Sequence, residues 1–131
     1  MKFRRLNEMG KFVIKQNNLG YTFNLKAANG EIIATSGEVL NTLQTCKNSI
    51  NSVIANAPIA ALEDQTVEGY SVEKCPKFEI YTDKQGEYRF RLKARNGEFI
   101  LASEGYTAKN GCKNGIDSVR QNVEGAEIVE P

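Results

Sequence analysis

The stretch that decides the fold occurs twice: residues 21–36 read YTFNLKAANGEIIATS and residues 88–103 read YRFRLKARNGEFILAS. Outward from these stretches, the copies extend over 11–53 and 77–119 and need only two single-residue shifts to align. Such a repeat predicts one supersecondary unit per copy, each relying on the other to bury its apolar face. We therefore predict a single domain over 1–131, with repeat one at about 11–64, a connector at 65–76 and repeat two at about 77–130.

Each copy is predicted to begin with a three-stranded antiparallel meander. Apolar and polar residues alternate over residues 21–28 and 88–95, which is typical of a strand with one buried face. The Asn-Gly pairs at 29–30 and 96–97 then predict tight hairpin turns of type I′, in which both central residues have positive φ. Third strands are expected over 31–36 and 98–103.

A helix is predicted to close each copy. Its apolar positions recur at steps of three and four residues: Cys46, Ile50 and Val53 in copy one, and Cys112, Ile116 and Val119 in copy two. This spacing predicts helices over 43–56 and 108–122, with Thr107 as the N-cap of the second helix. Short apolar stretches at 60–63 and 126–129 predict fourth strands.

Composition and charge narrow the class of protein. The chain has 131 residues, 25% of them charged and 40% hydrophobic, with a net charge of +1, so no global field attracts nucleic acid or an anionic membrane. Residues 1–10 lack the apolar stretch of a signal peptide, and no window approaches the ~20 apolar residues of a membrane span. Three cysteines without an export signal are typical of free thiols. We therefore predict a cytoplasmic protein.

The sequence offers few residues that could act in catalysis or bind a metal. The chain has no histidine, the commonest general base and metal ligand. Cys46 and Cys112 occupy matched helix positions and are either a redox or thiolate pair or two small buried hydrophobic residues; we favour the second interpretation. Glu63 and Asp64 form one acidic pair, too few oxygens for calcium. We predict no enzyme activity, no cofactor and no metal.

The repeated pattern resembles a known family. Both copies contain Tyr-x-Phe-x-Leu-Lys-Ala-x-Asn-Gly-Glu-x-Ile, and the chain is thereby similar to the YegP-like family of small bacterial proteins of uncharacterised function. Copy one departs from the family pattern at Val39, where tyrosine is usual, and at Ser49, where glycine is usual. The resemblance implies an α+β fold: tandem β3-α-β repeats forming one antiparallel sheet, with two helices on one face and exchanged C-terminal strands. It implies no activity, because the family offers no catalytic or binding residues to carry over.

A row of basic residues distinguishes the second copy. Arg89, Arg91, Lys93 and Arg95 alternate onto one predicted strand face, where copy one has Thr22, Asn24, Lys26 and Ala28. Tyr81 and Phe99 are predicted to share this face from neighbouring strands. Basic and aromatic side chains on an open sheet are typical of single-strand nucleic-acid binding. The alternative is a solvated face whose arginines pair with Glu79 and Glu98.

These observations leave two functional classes open. The first is a non-enzymatic binding or interaction module with an unknown partner. The second is a nucleic-acid-binding protein that uses the basic row, for which binding should depend steeply on salt. In either case the duplication predicts a monomer, because one chain supplies both halves of what would otherwise be a dimer.

Overall fold

The computed structural model describes residues 9–131, and the inference drawn from residues 1–8 lies outside that range. The described chain forms eight strands and two α-helices. The strands are β1 Lys11–Asn17, β2 Gly20–Lys26, β3 Ile32–Thr35, β4 Ala61–Asp64, β5 Lys77–Thr82, β6 Tyr88–Lys93, β7 Phe99–Ala102 and β8 Glu127–Val129. The helices are α1 Leu43–Asn56, followed by the short 3-10 turn Ala57–Ile59, and α2 Lys109–Asn122.

All eight strands form one sheet in the order β4-β5-β6-β7-β3-β2-β1-β8. The last strand of each repeat pairs with the first strand of the other, β4 with β5 and β8 with β1, which confirms the predicted exchange. Both exchanged strands run parallel to their partners, so the sheet is mixed and the prediction of a wholly antiparallel sheet is wrong.

The exchanged strands are reached through helical connections. Alternation of apolar and polar residues specifies which face a strand buries, and it carries no information on the direction of the strand. Between β3 and β4, which lie four strand spacings apart, the chain passes through α1 and the short 3-10 turn, and α1 contacts β2 and β7. A long connection of this kind allows the next strand to enter the sheet parallel to its neighbour, as β4 does beside β5.

The core lies between the sheet and the two helices. Each helix packs on strands of both repeats: α1 contacts β2 and β7, and α2 contacts β6 and β3. Phe23 and Phe90 are fully buried equivalents, as predicted, and each meets a second buried phenylalanine edge-to-face, with ring centroids 5.7 Å apart for Phe12–Phe23 and 5.9 Å for Phe78–Phe90. The strands of the two repeats meet at β3 and β7 through a single register pair, Thr35 with Ala102, so the helices supply most of the contact across the centre.

The helix N-termini differ between the repeats. Thr42 caps α1, its side-chain oxygen accepting from the Thr45 N–H at 3.0 Å. In α2 the N-cap position belongs to Ala108, which offers no side-chain cap, so the prediction of Thr107 is wrong by one residue. Tyr106 forms an isolated β-bridge with Tyr88, and Leu40 forms the equivalent bridge with Tyr21. The residue equivalent to Tyr106 is therefore Leu40 and not Val39. The loop before α1 is therefore one residue longer than the loop before α2.

The Asn-Gly turns are tight but not of type I′. In both repeats only the glycine has positive φ, +88° at Gly30 and +86° at Gly97. The Gly30 N–H donates to the Ala27 carbonyl, and the Ala27 N–H donates to the Glu31 carbonyl, which is the pattern of a type I turn followed by a glycine bulge. The Asn29 side chain accepts from the Glu31 N–H at 3.0 Å, so the asparagine stabilises the turn without positive φ.

Candidate functional site

The helix-free face of the sheet carries a compact group of aromatic and basic side chains in repeat two. The Arg91 guanidinium lies 4.3 Å from the Tyr81 ring centroid and 4.6 Å from the Phe99 ring centroid, and the Lys93 ammonium lies 4.8 Å from Phe99. Strand pairing brings these residues together, because β6 lies between β5, which carries Tyr81, and β7, which begins with Phe99. Phe99 remains 41% exposed. We call Tyr81, Arg91, Lys93 and Phe99 the arginine–aromatic cluster.

A network of buried charges adjoins this cluster. The Arg91 Nε donates to Glu79 at 2.7 Å, and the Lys77 Nζ lies 3.1 Å from the other Glu79 oxygen and 2.7 Å from Glu63. The Lys93 ammonium completes the network 3.6 Å from Glu79. Glu63, Lys77 and Glu79 are all buried, at 2%, 5% and 2% exposure. Buried charges of this kind are tolerated because each is paired and hydrogen-bonded.

The connector between the repeats closes over this network. The Glu73 N–H and the Gln65 side-chain amide both donate to Glu63, at 2.7 Å each. Burial opposes ionisation of Glu63, but these two bonds and the bond from Lys77 outweigh it and hold the pKa of Glu63 at about 2. Burial likewise opposes ionisation of Glu79, yet hydrogen bonds from Arg91 and Lys77 lower its pKa. Both carboxylates are therefore charged at neutral pH.

The predicted basic row is only partly assembled. Arg91 and Lys93 lie together with Tyr81 and Phe99, as described above. Arg89 lies farther along β6, where its Nε donates to Asp83 at 2.7 Å and a terminal nitrogen donates to the Ser103 carbonyl at 3.2 Å. Arg95 lies in the exposed turn after β6, because β6 ends at Lys93 beside a register shift that interrupts the alternation. The predicted pairing of arginine with Glu79 is present, whereas Glu98 makes no ion pair within residues 9–131.

The other end of the sheet, formed by β2, β1 and β8, has no charged residues at the positions equivalent to Glu79, Arg91 and Glu63. Val13 occupies the place of Glu79, Asn24 that of Arg91, and Val129 that of Glu63. The sequence analysis missed the roles of Glu63 and Lys77. The mismatch between the fourth strands, Glu63 in one and Val129 in the other, is the signal that could have revealed them.

The other candidate chemical groups are accounted for by packing or by ion pairs. Cys46 and Cys112 are fully buried, which confirms the prediction of small buried residues, and burial raises the pKa of both thiols, that of Cys112 to about 11. Glu63 pairs with Lys77 on the open face, whereas Asp64, its neighbour in β4, pairs with Lys109 of α2 at 3.0 Å, so the two carboxylates cannot share an ion. In residues 9–131 no three Cys, Asp or Glu side chains are grouped in a way that could hold a metal. Nor does that part of the chain contain a helix with the length and apolar character that crossing a membrane requires.

Comparison with known proteins identifies the relatives of this chain. The sequence profile of a domain of unknown function, DUF1508, matches it twice, over residues 17–64 and 83–130. The UPF0339 protein YegP of Yersinia pestis is 36% identical over 115 residues, 87% of this chain and 88% of that protein. A UPF0339 protein of Treponema denticola is 57% identical over 54 residues, which are 41% of this chain but 93% of that protein, so it has room for one repeat only.

Other relatives agree in sequence or in fold. A UPF0339 protein from the ptx operon 5′ region of Stutzerimonas stutzeri is 69% identical over 45 residues, and the match spans 34% of this chain and 40% of that protein. The solution structure of the Escherichia coli protein of unknown function YegP superposes with a TM-score of 0.74 at 28% identity, covering 93% of this chain and 92% of that one. The chain therefore belongs to the YegP-like UPF0339 family, and it carries the DUF1508 domain of that family twice.

Proposed function

We propose that this protein is a non-enzymatic binding module that docks an acidic partner protein on the arginine–aromatic cluster of its second repeat. The observation that carries the proposal is the position of Arg91 between the rings of Tyr81 and Phe99, with its Nε bonded to Glu79. An arginine held in this way loses little conformational entropy on binding. Arginine and aromatic residues also dominate the energetics of protein interfaces.

The charge of this face favours an acidic partner. Five cations lie on it or at its ends: Lys77, Arg89, Arg91, Lys93 and Arg95. Three carboxylates pair with them, Glu63, Glu79 and Asp83, and a fourth, Glu98, lies in the same turn as Arg95, which leaves an excess of one positive charge. Complementary charge accelerates encounter and excludes partners of the wrong sign.

The proposal also covers the lack of enzyme activity, the domain organisation, the location in the cell and the oligomeric state. The chain has no histidine, and burial raises the pKa of the two core thiols, Cys46 and Cys112, which supports a non-enzymatic role. We take residues 1–131 as one domain and the protein as a cytoplasmic monomer, because β4 and β8 of the same chain pair with β5 and β1, whose outer edges a separated repeat would leave unpaired.

Binding of single-stranded nucleic acid is the alternative, and the excess positive charge favours it. The position of cations over the rings of Tyr81 and Phe99 disfavours it. Arg91 lies over both rings and Lys93 lies over Phe99, so stacking a base on those ring faces would require displacing these cations.

The test compares two substitutions at equivalent positions, Arg91→Ala in repeat two and Asn24→Ala in repeat one. Partners are first identified by cross-linking in cells, then purified and titrated against the wild type and both variants. We expect Arg91→Ala to weaken binding at least about tenfold, in keeping with an interface anchor, and Asn24→Ala to change it less than about twofold. Equal effects of the two substitutions would contradict the proposal.

A second titration decides between the two classes of partner. Fluorescence anisotropy of a labelled random single-stranded oligonucleotide is measured at low and high salt with wild-type protein and an Arg95→Ala variant. Tight binding that falls steeply with salt and weakens in the variant would favour the nucleic-acid alternative. We expect weak binding that the substitution does not change.

A further inference from the structure

The duplication creates two clefts on the helix side of the molecule. Each lies between the helix of one repeat and the Asn-Gly turn of the other. The first cleft, about 260 Å³, is bounded by α1 and by the turn at 94–100; the second, about 270 Å³, is bounded by α2 and by the turn at 27–33. Both volumes lie just below the ~300 Å³ at which small-molecule sites usually begin, so either cleft has room only for a small ligand. Neither cleft contains any residue of the buried charge network described above.

The first cleft combines an apolar floor with a polar wall. Leu40, Ala94 and Ile100 line it and are buried. Helix α1 contributes Ser49 and Ser52, whose hydroxyl groups can donate or accept hydrogen bonds. The apolar floor can contact a short hydrocarbon chain, and the serine hydroxyl groups beside it can form hydrogen bonds with polar atoms of the same ligand.

The rim of the first cleft is acidic. Glu38 and Glu98 both line it, both are exposed, and neither makes an ion pair within residues 9–131. No lysine or arginine of the described chain lines the cleft. A carboxylate ligand or a phosphate would therefore meet repulsion and find no cation, whereas an ammonium group would find two acceptors of opposite charge.

The second cleft differs from the first at four equivalent lining positions, two of which are Gly111 in place of Thr45 and Ile32 in place of Phe99. Tyr106 replaces Leu40 at its floor, and Gly115 replaces Ser49 on its helix. A side chain at Gly115 would collide with the Tyr106 hydroxyl and approach the Phe90 ring to 3.0 Å, so the glycine is required by the tyrosine. The second cleft retains one rim carboxylate, Glu31, the equivalent of Glu98, but has no counterpart of Glu38.

The longer loop of repeat one supplies the additional carboxylate. Gly37 passes so close to β7 that a Cβ atom there would lie 3.1 Å from the Phe99 carbonyl oxygen. This close approach lets the loop fold against the start of β7 and form an extra wall of the first cleft, on which Glu38 lies. The loop of repeat two, one residue shorter, lies outside the lining of the second cleft apart from Tyr106.

We propose that the first cleft is a binding site for a short aliphatic amine with one or two ammonium groups. The hydrocarbon chain contacts Leu40 and Ile100, the serine hydroxyls of α1 orient the polar atoms, and each ammonium group donates to Glu38 or Glu98. The second cleft, with its tyrosine floor and single carboxylate, binds the same ligand more weakly. The site adjoins the arginine–aromatic cluster at Phe99, which lines the cleft and also lies against Arg91. The two proposals are tested separately, because Arg91 does not line the cleft and Glu98 is not part of the cluster.

The test is a titration of the full chain with 1,4-diaminobutane, followed by backbone amide chemical shifts. The comparison ligands have similar length: 1,4-butanediol is neutral and succinate is anionic. We expect saturable shifts at residues 45–52 and 96–100, with a dissociation constant on the order of 1 mM for a ligand of this size, and much smaller shifts at 111–118 and 29–33. Affinity for the diol equal to that for the diamine, or preferential binding of succinate, would overturn the proposal.

Two substitutions at equivalent turn positions provide the matched control. Glu98→Gln removes a rim carboxylate of the first cleft and Glu31→Gln removes the one in the second. Both side chains are exposed, so neither change should affect folding. We expect Glu98→Gln to weaken diamine binding about tenfold, the usual effect of losing one charge-assisted hydrogen bond, and Glu31→Gln to weaken it less than about twofold. Equal losses in the two variants, or no saturation up to about 50 mM, would contradict the assignment.

Discussion

The two repeats share a core and differ on the open face of the sheet. On the helix side, Phe12 and Phe23 of one repeat have the same arrangement as Phe78 and Phe90 of the other. On the open side, Val13 and Val129 pair in β1 and β8 at the positions that Glu79 and Glu63 occupy in β5 and β4, at the other end of the sheet. The comparison teaches that the duplication dictates the packed interior, while each open face has its own chemistry.

The buried charges of repeat two depend on features that repeat one does not share. Lys77 is buried because the connector closes over Glu63. Lys11, its equivalent beside Val13 and Val129, is exposed. A carboxylate pair buried without the connector and without Lys77 would lose both its hydrogen bonds and its counter-ion.

The largest expected effect comes from separating the repeats. Cutting the chain near Glu68 leaves each fragment with an unpaired strand edge and a half-covered core, because β4 and β8 then lie on the wrong fragments. Each fragment should unfold or form a homodimer whose stability depends on concentration. Sedimentation of the intact chain and of both fragments tests this, and a stable, folded, monomeric half would contradict the strand exchange.

The second prediction concerns the cores of the two repeats, which should lose similar amounts of unfolding free energy when a buried phenylalanine is removed. Phe23→Ala and Phe90→Ala each remove a fully buried ring, and each should cost about 3–5 kcal/mol of unfolding free energy. Phe90→Ala should be the more costly, because Tyr106 also stacks on Phe90, with ring centroids 6.4 Å apart. Equilibrium denaturation measures both losses. A cost below about 1 kcal/mol at either position would mean that the two cores are not equivalent.

Substitutions at two equivalent lysines, Lys77 and Lys11, should change the unfolding free energy by very different amounts. Lys77→Met leaves the buried carboxylates of Glu63 and Glu79 without their shared cation, and should cost about 3 kcal/mol. Lys11→Met changes an exposed residue and should stay within about 0.5 kcal/mol. Chemical denaturation of the two variants checks the difference, and equal costs would show that the buried network contributes nothing specific.

The smallest expected effect is a dependence of stability on acid. The pKa of Glu63 is about 2 in the folded chain, against an ordinary value of 4.5, so its contribution is fully present above pH 4.5 and is lost as the pH falls towards 2. Asp64 and Glu79 shift in the same direction, although burial opposes both shifts. Thermal unfolding between pH 5 and pH 2 should show a decline that is shallower in a Glu63→Gln variant. If the stability of the wild type and of the variant fell equally with pH, Glu63 would not be the cause of the acid dependence.

Much of the fold could be predicted because it depends on local patterns. Alternation located β2 and β6, and helical spacing located α1 at its observed limits. Strand direction was missed because the alternation of apolar and polar residues is the same in a parallel and an antiparallel strand. The positive φ expected at Asn29 was wrong because a glycine bulge closes the same turn with one positive φ.

The candidate site was less predictable, because its geometry depends on contacts between distant residues. The grouping of Arg91 with Tyr81 and Phe99 followed from strand neighbours and was predicted correctly as a shared face. The burial of Glu63 depends on the connector, whose sequence shows no periodicity, so nothing local indicated that it would close over the sheet. Arg95 was misplaced because the alternation of β6 ends at a register shift.

The helices that cross onto the opposite repeat have a consequence for how the two copies can diverge over evolutionary time. Because α1 contacts β7 and α2 contacts β3, a substitution in one copy's interior alters the packing of the other copy as well. A change at one core position can therefore be compensated by a change in the other copy. The open face has no such tie, so mutations can accumulate in one copy alone, and a fused pair can acquire a new specificity while its scaffold stays symmetric.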